Sequence, residues 1–345
     1  MASPKGKTNH IGLQKNDYKG LPSSLCQGCG HNSIANQIVS ACFELGIVPE
    51  QIAKFSGIGC SSKSPTYFLE RSFGFNSLHG RMAPLATGAL FADSSLIGLG
   101  ISGDGDTASI GMSGFKHMVR RNTKMLYIIE NNGVYGLTKG QFSATAEVGL
   151  TLKHHGTNPY MPVDICMEAL ISNATFVARS FAGDAKQVKE LIKAGLNHEG
   201  VAVLDIISPC VTFNNQVNTF HSYTWGRDHE APLHEISFVP KLDEIMVEDD
   251  FLPGMINEVC MHDGSSIVLK KLETDYDPTD RWQAIHMLEE ALANNWLITG
   301  LIYIKCDSET LIGRHNLPEK ALNRLTEKDL RPSRESLVKI NDSML

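Results

Sequence analysis

Two kinds of hydrophobic segment alternate along residues 30–208. Apolar residues spaced three or four positions apart indicate helices, whereas short continuous apolar runs indicate buried strands. The pattern predicts helices at residues 31–45, 81–92, 109–120, 163–172 and 184–197, and strands at 52–56, 95–102, 125–130, 175–179 and 201–207. Strands that alternate with helices build a mostly parallel sheet with helices on both faces, so the sequence predicts an α/β fold.

Residues 131–162 form an unusually long predicted loop, which suggests a functional segment.

The pattern of apolar residues changes after Ser208. Beyond this residue there is one clear helical segment, 279–294, and one apolar strand candidate, 296–304. We therefore expect a main binding domain at residues 1–235 and a C-terminal extension at 236–345 that contacts other subunits.

Composition narrows the class of protein. The 345 residues carry a net charge of −7, which gives no reason to expect a nucleic-acid partner, because such proteins usually present a basic face. No apolar run approaches the roughly 18 to 20 residues of a membrane span, and the first residues are polar where a signal peptide would be apolar. The sequence predicts a cytoplasmic protein that uses no membrane.

Eight cysteines are the unusual feature of this composition. Thiols inside cells stay reduced, so grouped cysteines indicate metal binding or redox chemistry. Cys26 and Cys29 form a C-x-x-C, while Cys60 and Cys210 stand alone in GIGCSS and ISPCV. The remaining four have apolar neighbours and are interpreted as packing residues: Cys42, Cys166, Cys260 and Cys306.

Four cysteines suit a tetrahedral thiolate site, and both zinc and a [4Fe–4S] cluster accept such a set. Structural zinc modules usually combine two C-x-x-C pairs that are close in sequence. Here there is one pair, and the other two cysteines lie far along the chain. This spacing favours the cluster, with zinc and metal-free thiols as alternatives.

Two short polar motifs follow consecutive strands. Gly103, Asp104, Gly105 and Asp106 come directly after one buried strand, and Asn131–Asn132 come after the next. Because carboxyl ends of parallel strands meet at one edge, Asp104 and Asn132 should face one site, where their oxygens suit Mg²⁺. The glycines would let backbone N–H groups approach a diphosphate, with the start of the helix predicted at residue 109 adding a positive dipole end. The alternative is two ordinary turns.

The spacing of these motifs resembles the diphosphate-binding motif of thiamine diphosphate enzymes. Together with CQGCGH, GIGCSSK and SPC, it resembles the β subunit of the 2-oxoacid:ferredoxin oxidoreductases over about residues 20–235. The segments SLHGRMAPLATG, GDGDTASIGMSG and NNGVYGLTKGQFSAT match as well. The resemblance implies that Mg²⁺ is bound by Asp104, Asn132 and the Val134 carbonyl, and a [4Fe–4S] cluster by Cys26, Cys29, Cys60 and Cys210. The other cofactor-binding candidates are Gly59, His79, Gly103, Gly105 and Asp106.

The implied reaction is the coenzyme A-dependent oxidative decarboxylation of a 2-oxoacid with ferredoxin as electron acceptor. The resemblance also implies an α subunit that carries the pyrimidine-binding domain, without which this chain is inactive, and an (αβ)₂ assembly. Candidates to contact substrate are Lys63, His79, Arg81 and Lys139, with His31 and Leu137 as weaker ones.

In its lysine after GCSS, the chain resembles members of the family that use 2-oxoglutarate or a broad range of 2-oxoacids more than those dedicated to pyruvate. The second carboxylate of 2-oxoglutarate would need such a cation, so we expect 2-oxoglutarate, with pyruvate or a broad range of 2-oxoacids as the alternative. Two other functions compete with this interpretation. A decarboxylase or acetolactate-type synthase would use the same cofactor without a cluster. A zinc-stabilised, non-catalytic scaffold subunit would need neither the diphosphate site nor electron transfer.

Overall fold

The structure is a computed structural model that describes residues 7–217, 219–240, 256–260, 266–271 and 276–344. The strands are β1 (Ile52–Ser56), β2 (Phe73–Asn76), β3 (Ile97–Gly103), β4 (Met125–Asn131), β5 (Val134–Tyr135), β6 (Gln141–Phe142), β7 (Thr151–Leu152), β8 (Gly156–Thr157), β9 (Phe176–Phe181), β10 (Val201–Ile207), β11 (Glu230–Pro232), β12 (His234–Val239), β13 (Ile256–Cys260), β14 (Ser266–Lys271) and β15 (Leu297–Ile304). The helices are α1 (Gly30–Leu45), α2 (Met82–Ala92), α3 (Met112–Arg120), α4 (Ile165–Ile171), α5 (Ala185–Asn197), α6 (Tyr223–His229), α7 (Arg281–Asn294), α8 (Leu311–Arg314), α9 (Glu327–Leu330) and α10 (Arg334–Asp342).

The main sheet is mostly parallel. Within the described residues it has eight strands in the order β11-β15-β9-β10-β4-β3-β1-β2. Neighbouring strands are parallel except β15 and β9, which are antiparallel. Every residue of β4, β9, β10 and β15 is buried, as expected for strands covered on both faces. The predicted α/β class is confirmed.

Helices cover both faces of this sheet. Alternate side chains of a strand point to opposite faces, so Leu126 and Ile128 of β4 join one apolar core, whereas Tyr127 and Ile129 join the other. The first core contains residues of α1 and α5, and the second contains residues of α2, α3, α4 and α7. A small antiparallel sheet, in the order β12-β14-β13, packs beside α5.

The predicted central elements agree with the structure, with three differences in detail. A π-helical segment, Gly105–Ile110, precedes α3, so helical backbone begins directly after Asp104 rather than at residue 109. The predicted loop 131–162 contains two short antiparallel pairs, β5 with β6 and β7 with β8. The sequence analysis missed edge strand β2 because it is short, and all four of its residues are exposed.

The C-terminal residues are partly integrated into the main sheet. Residue 235, where the sequence predicts the division, lies inside β12, and β15 joins the main sheet beside β9, second from its edge. The division into two domains stays a prediction. The last helix, α10, is different, because all of its residues are exposed.

No helix in the described part of the chain has the length and apolar character that crossing a membrane requires.

Candidate functional site

Four adjacent strands end beside one another and carry four predicted site residues. The neighbours β10, β4, β3 and β1 are parallel, so their carboxyl ends lie at one edge. Directly or shortly after these ends come Cys210, Asn132, Asp104 and Cys60. The sheet therefore brings both predicted sites, the diphosphate site and the cysteine site, to the same edge.

Asp104 and Asn132 are in direct contact. Asp104 Oδ1 accepts a hydrogen bond from the Asn132 backbone N–H at 3.2 Å, and Oδ2 accepts one from Thr145 Oγ1 at 3.0 Å. Asn132 Oδ1 accepts from the Val134 backbone N–H at 3.1 Å. All four residues are buried, and no Lys, Arg or His of the described residues pairs with the Asp104 carboxylate. A buried carboxylate without a cationic partner, beside an amide oxygen, fits a hard divalent cation.

A buried network of hydrogen bonds connects Asp104 and Asn132 to residues inside the sheet. Asn131 Oδ1 lies 2.9 Å from Thr145 Oγ1 and shares the single proton of that hydroxyl with Asp104, and Asn131 Nδ2 donates to Asp205 Oδ1 at 3.1 Å. Asp205 in turn accepts from Arg179 Nε at 3.1 Å. Thr145 therefore links the Asp104 carboxylate to an ion pair inside the sheet. Thr145 ends the segment NNGVYGLTKGQFSAT, and its role was not predicted from the sequence.

The Asp106 carboxylate accepts four hydrogen bonds from the protein. Its Oδ1 accepts from His79 Nδ1 at 2.5 Å and from the backbone N–H groups of Gly80 at 2.7 Å and Ile58 at 3.1 Å. Its Oδ2 accepts from Ser102 Oγ at 2.8 Å. Both oxygens are thus used by the protein itself. Asp106 therefore positions His79 and the neighbouring loops, and because it also lines the cleft, its role in cofactor binding stays a prediction.

The glycines of the predicted motif lie against protein atoms. A Cβ on Gly105 would be 2.5 Å from the Tyr135 ring, and one on Gly103 would be 2.9 Å from Ser61 Oγ. Tyr135 also donates from its hydroxyl to the Gly105 carbonyl at 3.1 Å. Gly59 has φ 134°, a conformation that favours glycine. These glycines let the walls of the cleft close around the start of the π-helical segment.

The four predicted cluster cysteines lie on converging loops. A Cβ on Gly136 would lie 3.5 Å from Cys60 Sγ and 3.8 Å from Cys210 Sγ, so both sulfurs face the same glycine. Thr212 Oγ1, in the loop after Cys210, donates to Cys26 Sγ at 3.6 Å. This loop therefore reaches the C-x-x-C segment as well.

Cys29 occupies the N-cap position of α1 in this arrangement. Burial raises the pKa of its thiol to about 12, a hydrogen bond from the His31 backbone opposes the rise, and the nearby Glu130, Cys210 and Cys60 add to it. Within the described residues, no three His, Cys, Asp or Glu side chains already surround a single metal position. The donor set is nevertheless the one that a [4Fe–4S] cluster uses, four thiols on loops at one edge.

The other cysteines behave differently where they are described. Cys42 and Cys166 are completely buried among apolar side chains, and Cys306 is half-buried against the first core. The side chain of Cys260 lies outside the described residues. The three described side chains agree with a packing role.

A buried acid that sequence analysis did not assign lies between the cysteine loops. Glu130, the last but one residue of β4, is fully buried and accepts from Ser64 Oγ at 2.9 Å. His31 Nδ1 is 3.7 Å from its Oε2 and 2.7 Å from Ser208 Oγ. Burial raises the pKa of Glu130 well above its usual value. The available signal was a charged residue within an otherwise apolar strand.

Of the four main substrate candidates, His79 lines the cleft and the other three lie around it. Lys63, Arg81 and Lys139 are all exposed, and none of the three lines the cleft. Burial raises the pKa of the Cys60 thiol, and the charge of Lys63 partly opposes that rise. Lys139 has φ 78°, which residues with side chains rarely adopt, so the hairpin holds it in a strained position. Leu137, from the same hairpin, is 47% exposed and does line the cleft, as does His31.

Comparisons with known proteins agree with this geometry. A family profile described as "Thiamine pyrophosphate enzyme, C-terminal TPP binding domain" matches residues 57–206. A 2-oxoacid:ferredoxin oxidoreductase subunit beta from a Sulfolobus species is 37% identical over 234 residues, which cover 68% of this chain and 73% of that relative. The 2-oxoglutarate oxidoreductase subunit KorB of Mycobacterium tuberculosis is 41% identical over 194 residues, or 55% of this chain and 51% of the relative.

A solved structure resembles the whole chain. It is the 2-oxoglutarate:ferredoxin oxidoreductase from Magnetococcus marinus with 2-oxoglutarate, coenzyme A and succinyl-CoA bound. The TM-score is 0.74 at 29% identity, and the match covers 97% of this chain and 99% of that one. The extent of these matches confirms the resemblance inferred from the motifs. The chain belongs to the β subunit family of the 2-oxoacid:ferredoxin oxidoreductases.

Proposed function

We propose that the protein is the β subunit of an enzyme that converts 2-oxoglutarate, coenzyme A and oxidised ferredoxin into succinyl-CoA, CO₂ and reduced ferredoxin. The same enzyme would also run the reverse reductive carboxylation. In the forward direction, the 2-oxoacid loses CO₂ and a pair of electrons, ferredoxin accepts the electrons, and the thiol proton of coenzyme A is released. The observation that carries the proposal is the convergence of a buried carboxylate–amide pair and four thiols at one edge of the sheet.

Mg²⁺ and the diphosphate of thiamine diphosphate fit the pair formed by Asp104 and Asn132. We assign the two side chains and the Val134 carbonyl as metal ligands, next to the helical backbone that starts at Gly105. When bound, the cofactor supplies the electron sink for decarboxylation. His79, whose Nδ1 is held by Asp106, then presents its other ring nitrogen, Nε2, as a hydrogen-bonding group.

The four thiols of Cys26, Cys29, Cys60 and Cys210 are assigned as ligands of a [4Fe–4S] cluster, which supplies one-electron transfer to ferredoxin. Gly136 keeps the space between two of these sulfurs free of side-chain atoms. Because Cys60 immediately follows Gly59 in the cleft wall, the same loop contributes to both sites. This proximity supports direct electron transfer from the substrate site to the cluster.

An α subunit would complete the site. Exposed apolar side chains at the cleft include Leu137 at 47% and Ile58 at 38%, and Leu78, next to His79 in sequence, is 79% exposed. Exposed apolar groups of this size commonly mark a subunit interface. We assign the missing pyrimidine-binding domain and coenzyme A site to the α subunit, in an (αβ)₂ assembly, and assign subunit contacts to exposed parts of residues 236–345, such as α10.

We assign Lys63 and Lys139 to the distal carboxylate of 2-oxoglutarate. Both are cations on loops that join the cluster or metal residues to the rest of the chain, and Lys139 is held in an unusual backbone conformation. A strained residue at the rim of a site is typical of a functional constraint. Arg81 is a third candidate, although its guanidinium already donates to the Gly80 carbonyl at 3.1 Å.

The proposal is tested by co-expressing the chain with an α subunit without oxygen and measuring iron, sulfide and viologen reduction with 2-oxoglutarate and coenzyme A. We expect iron and sulfide in the ratio of a [4Fe–4S] cluster, both lost in Cys210→Ser and both retained in the matched control Cys306→Ser. Asp104→Asn should abolish activity while retaining iron. A colourless protein that contains zinc, or one inactive with every 2-oxoacid, would contradict the proposal.

The substrate assignment has its own test. Lys63→Gln and Lys139→Gln should raise KM for 2-oxoglutarate about tenfold or more and leave KM for pyruvate nearly unchanged, because pyruvate lacks the second carboxylate. Lys153→Gln, an exposed control, should change neither. Equal effects on both substrates would reject the assignment of these lysines to the distal carboxylate, while the chain would still belong to the same family.

A further inference from the structure

A cavity of about 440 Å³ lies at the amino ends of the strands, away from the cluster and magnesium residues. Its wall includes Thr175, directly before β9, and Tyr303 and Lys305 at the end of the antiparallel β15. The six residues of β9 span about 20 Å from this edge to the carboxyl edge. The cavity is therefore separate from the site proposed above.

Positive charge is concentrated in this wall. Four cationic side chains line the cavity, and no Asp or Glu lines it: the four are Arg120, Arg281, Lys305 and Arg314. Among the residues that the structure describes, one of them is near a carboxylate, since Arg314 Nε is 3.8 Å from Glu309 Oε2. The nearby Asp280 carboxylate is engaged as the N-cap of α7, where it accepts from the Trp282 and Gln283 backbone N–H groups. We call this space the basic cavity.

Arg281 is the most informative of these residues. Its Nη1 donates to Asn173 Oδ1 at 3.0 Å, which fixes the guanidinium at the wall. Its Nε is buried and has no hydrogen-bond partner among the described residues. A buried charged donor without an acceptor is costly, and native proteins rarely leave one. The charge of an anion bound in the cavity would offset part of this cost.

We propose that the basic cavity binds a phosphate-bearing small molecule. Guanidinium groups match phosphate oxygens through paired hydrogen bonds, and three of them with one ammonium suit an anion of more than one negative charge. The volume lies within the range of small-molecule sites. The side chain of Ser308 offers a neutral hydrogen-bonding group beside the cations, whereas Thr175 and Asn122 are hydrogen-bonded to each other. In a chain of net charge −7, such a pocket is not a consequence of overall composition.

Isothermal titration of the assembled enzyme tests this proposal with ATP and inorganic pyrophosphate as probes. The enzyme is loaded with thiamine diphosphate and Mg²⁺ and the free cofactor is removed before titration, so that the cofactor site is filled and no free diphosphate competes for the basic cavity. We expect saturable binding of at least one probe below about 1 mM, weakened about tenfold or more in Arg281→Gln. Tighter binding of ATP than of pyrophosphate would identify a nucleotide as the ligand. Equal binding of the two probes would identify a simple phosphate anion. Because Arg281 is half-buried, Arg120→Gln and Lys305→Gln, at exposed positions, provide the same measurement without risk to folding.

Arg121→Gln is the matched control, since Arg121 is the exposed neighbour of Arg120 in sequence and does not line the cavity. It should leave binding unchanged. The proposal is overturned if neither probe binds, if Arg121→Gln weakens binding as much as Arg120→Gln, or if the cavity variants impair ferredoxin binding instead. Activity without a probe should be the same in Lys305→Gln as in the unmodified enzyme.

Discussion

Asp106 Oδ1 and His79 Nδ1 lie 2.5 Å apart, and the same carboxylate accepts three further hydrogen bonds from Ile58, Gly80 and Ser102. A Cβ on Gly57 would be 1.8 Å from Asp106 Oδ2, so the carboxylate also fills the space above that glycine. Asp106, two residues after Asp104, therefore fixes the loop of Gly59, the loop of His79 and the end of β3. This relationship makes Asp106 a positioning residue for the cleft.

Replacing Asp106 with alanine should loosen these loops together. Four buried donors would lose their charged acceptor, so we expect the free energy of unfolding to fall by about 3 kcal/mol or more. We also expect thiamine diphosphate to bind more weakly, because the loops around the cleft would be less well fixed. Chemical denaturation and cofactor titration measure the two effects. Asp228→Asn, at an exposed position, should change stability by no more than about 0.5 kcal/mol. Normal cofactor affinity in Asp106→Ala would show that the loops are held by other contacts.

Gly136→Ala places a methyl group in contact with the sulfurs of Cys60 and Cys210. The φ of Gly136 is not in the left-handed region, so the substitution should change the stability of the iron-free protein little. We expect iron content to fall well below that of the unmodified protein, while the thermal midpoint of the iron-free protein changes by only a few degrees or less. Gly88→Ala, in α2 with nothing within 4 Å of the added Cβ, is the control and should retain full iron. Full iron content in Gly136→Ala would place the cluster elsewhere.

His234 should make stability depend on pH. It is 4% exposed, its Nε2 accepts from the Leu301 backbone N–H at 3.0 Å, and burial lowers its pKa to about 4. Between pH 6.5 and pH 4 the unfolded chain binds a proton that the folded chain does not, so stability falls as pH falls, by about 1.4 kcal/mol per pH unit from this group.

His234→Gln retains an acceptor for Leu301 but cannot titrate. The slope of unfolding free energy against pH should therefore become shallower by about that amount in this range. His154→Gln, at an exposed position, should leave the slope unchanged. An unaltered slope in His234→Gln would mean that His234 gains no proton on unfolding.

Lys54 stabilises the loop that follows Cys60. Its Nζ donates to the carbonyls of Pro65 and Phe68 at 2.7 Å each and of Leu69 at 2.9 Å, and the side chain is buried. Lys54→Met should leave three acceptors without this donor and destabilise the protein by about 2 to 4 kcal/mol, measured by urea unfolding. The exposed control Lys153→Met should have an effect of about 0.5 kcal/mol or less. A similarly small effect in Lys54→Met would show that the loop folds independently of this residue.

Local pattern was sufficient for much of the fold. Strands β1 and β10 and helix α1 match the predicted segments because their apolar periodicity is strong and their ends are marked by turn or cap residues. The predicted helix at residues 184–197 matches α5, where Asp184 is the N-cap and accepts from the Gln187 backbone N–H. Strand β2 and the pairing of β15 with β9 were not predicted, because exposed short strands and long-range pairing leave little local signal.

The sequence by itself determined the α/β class, the family and the residue types at the edge of the sheet, since these depend on periodicity and on short motifs of fixed spacing. Only the tertiary structure decided how those residues are used. It showed that Asp106 is engaged by protein donors, that Glu130 is buried between the cysteine loops, and that Arg281 faces a second, basic cavity. The physical reason is that hydrogen-bond partners and burial depend on contacts between residues far apart in the chain, and the local periodicity of the sequence does not predict those contacts.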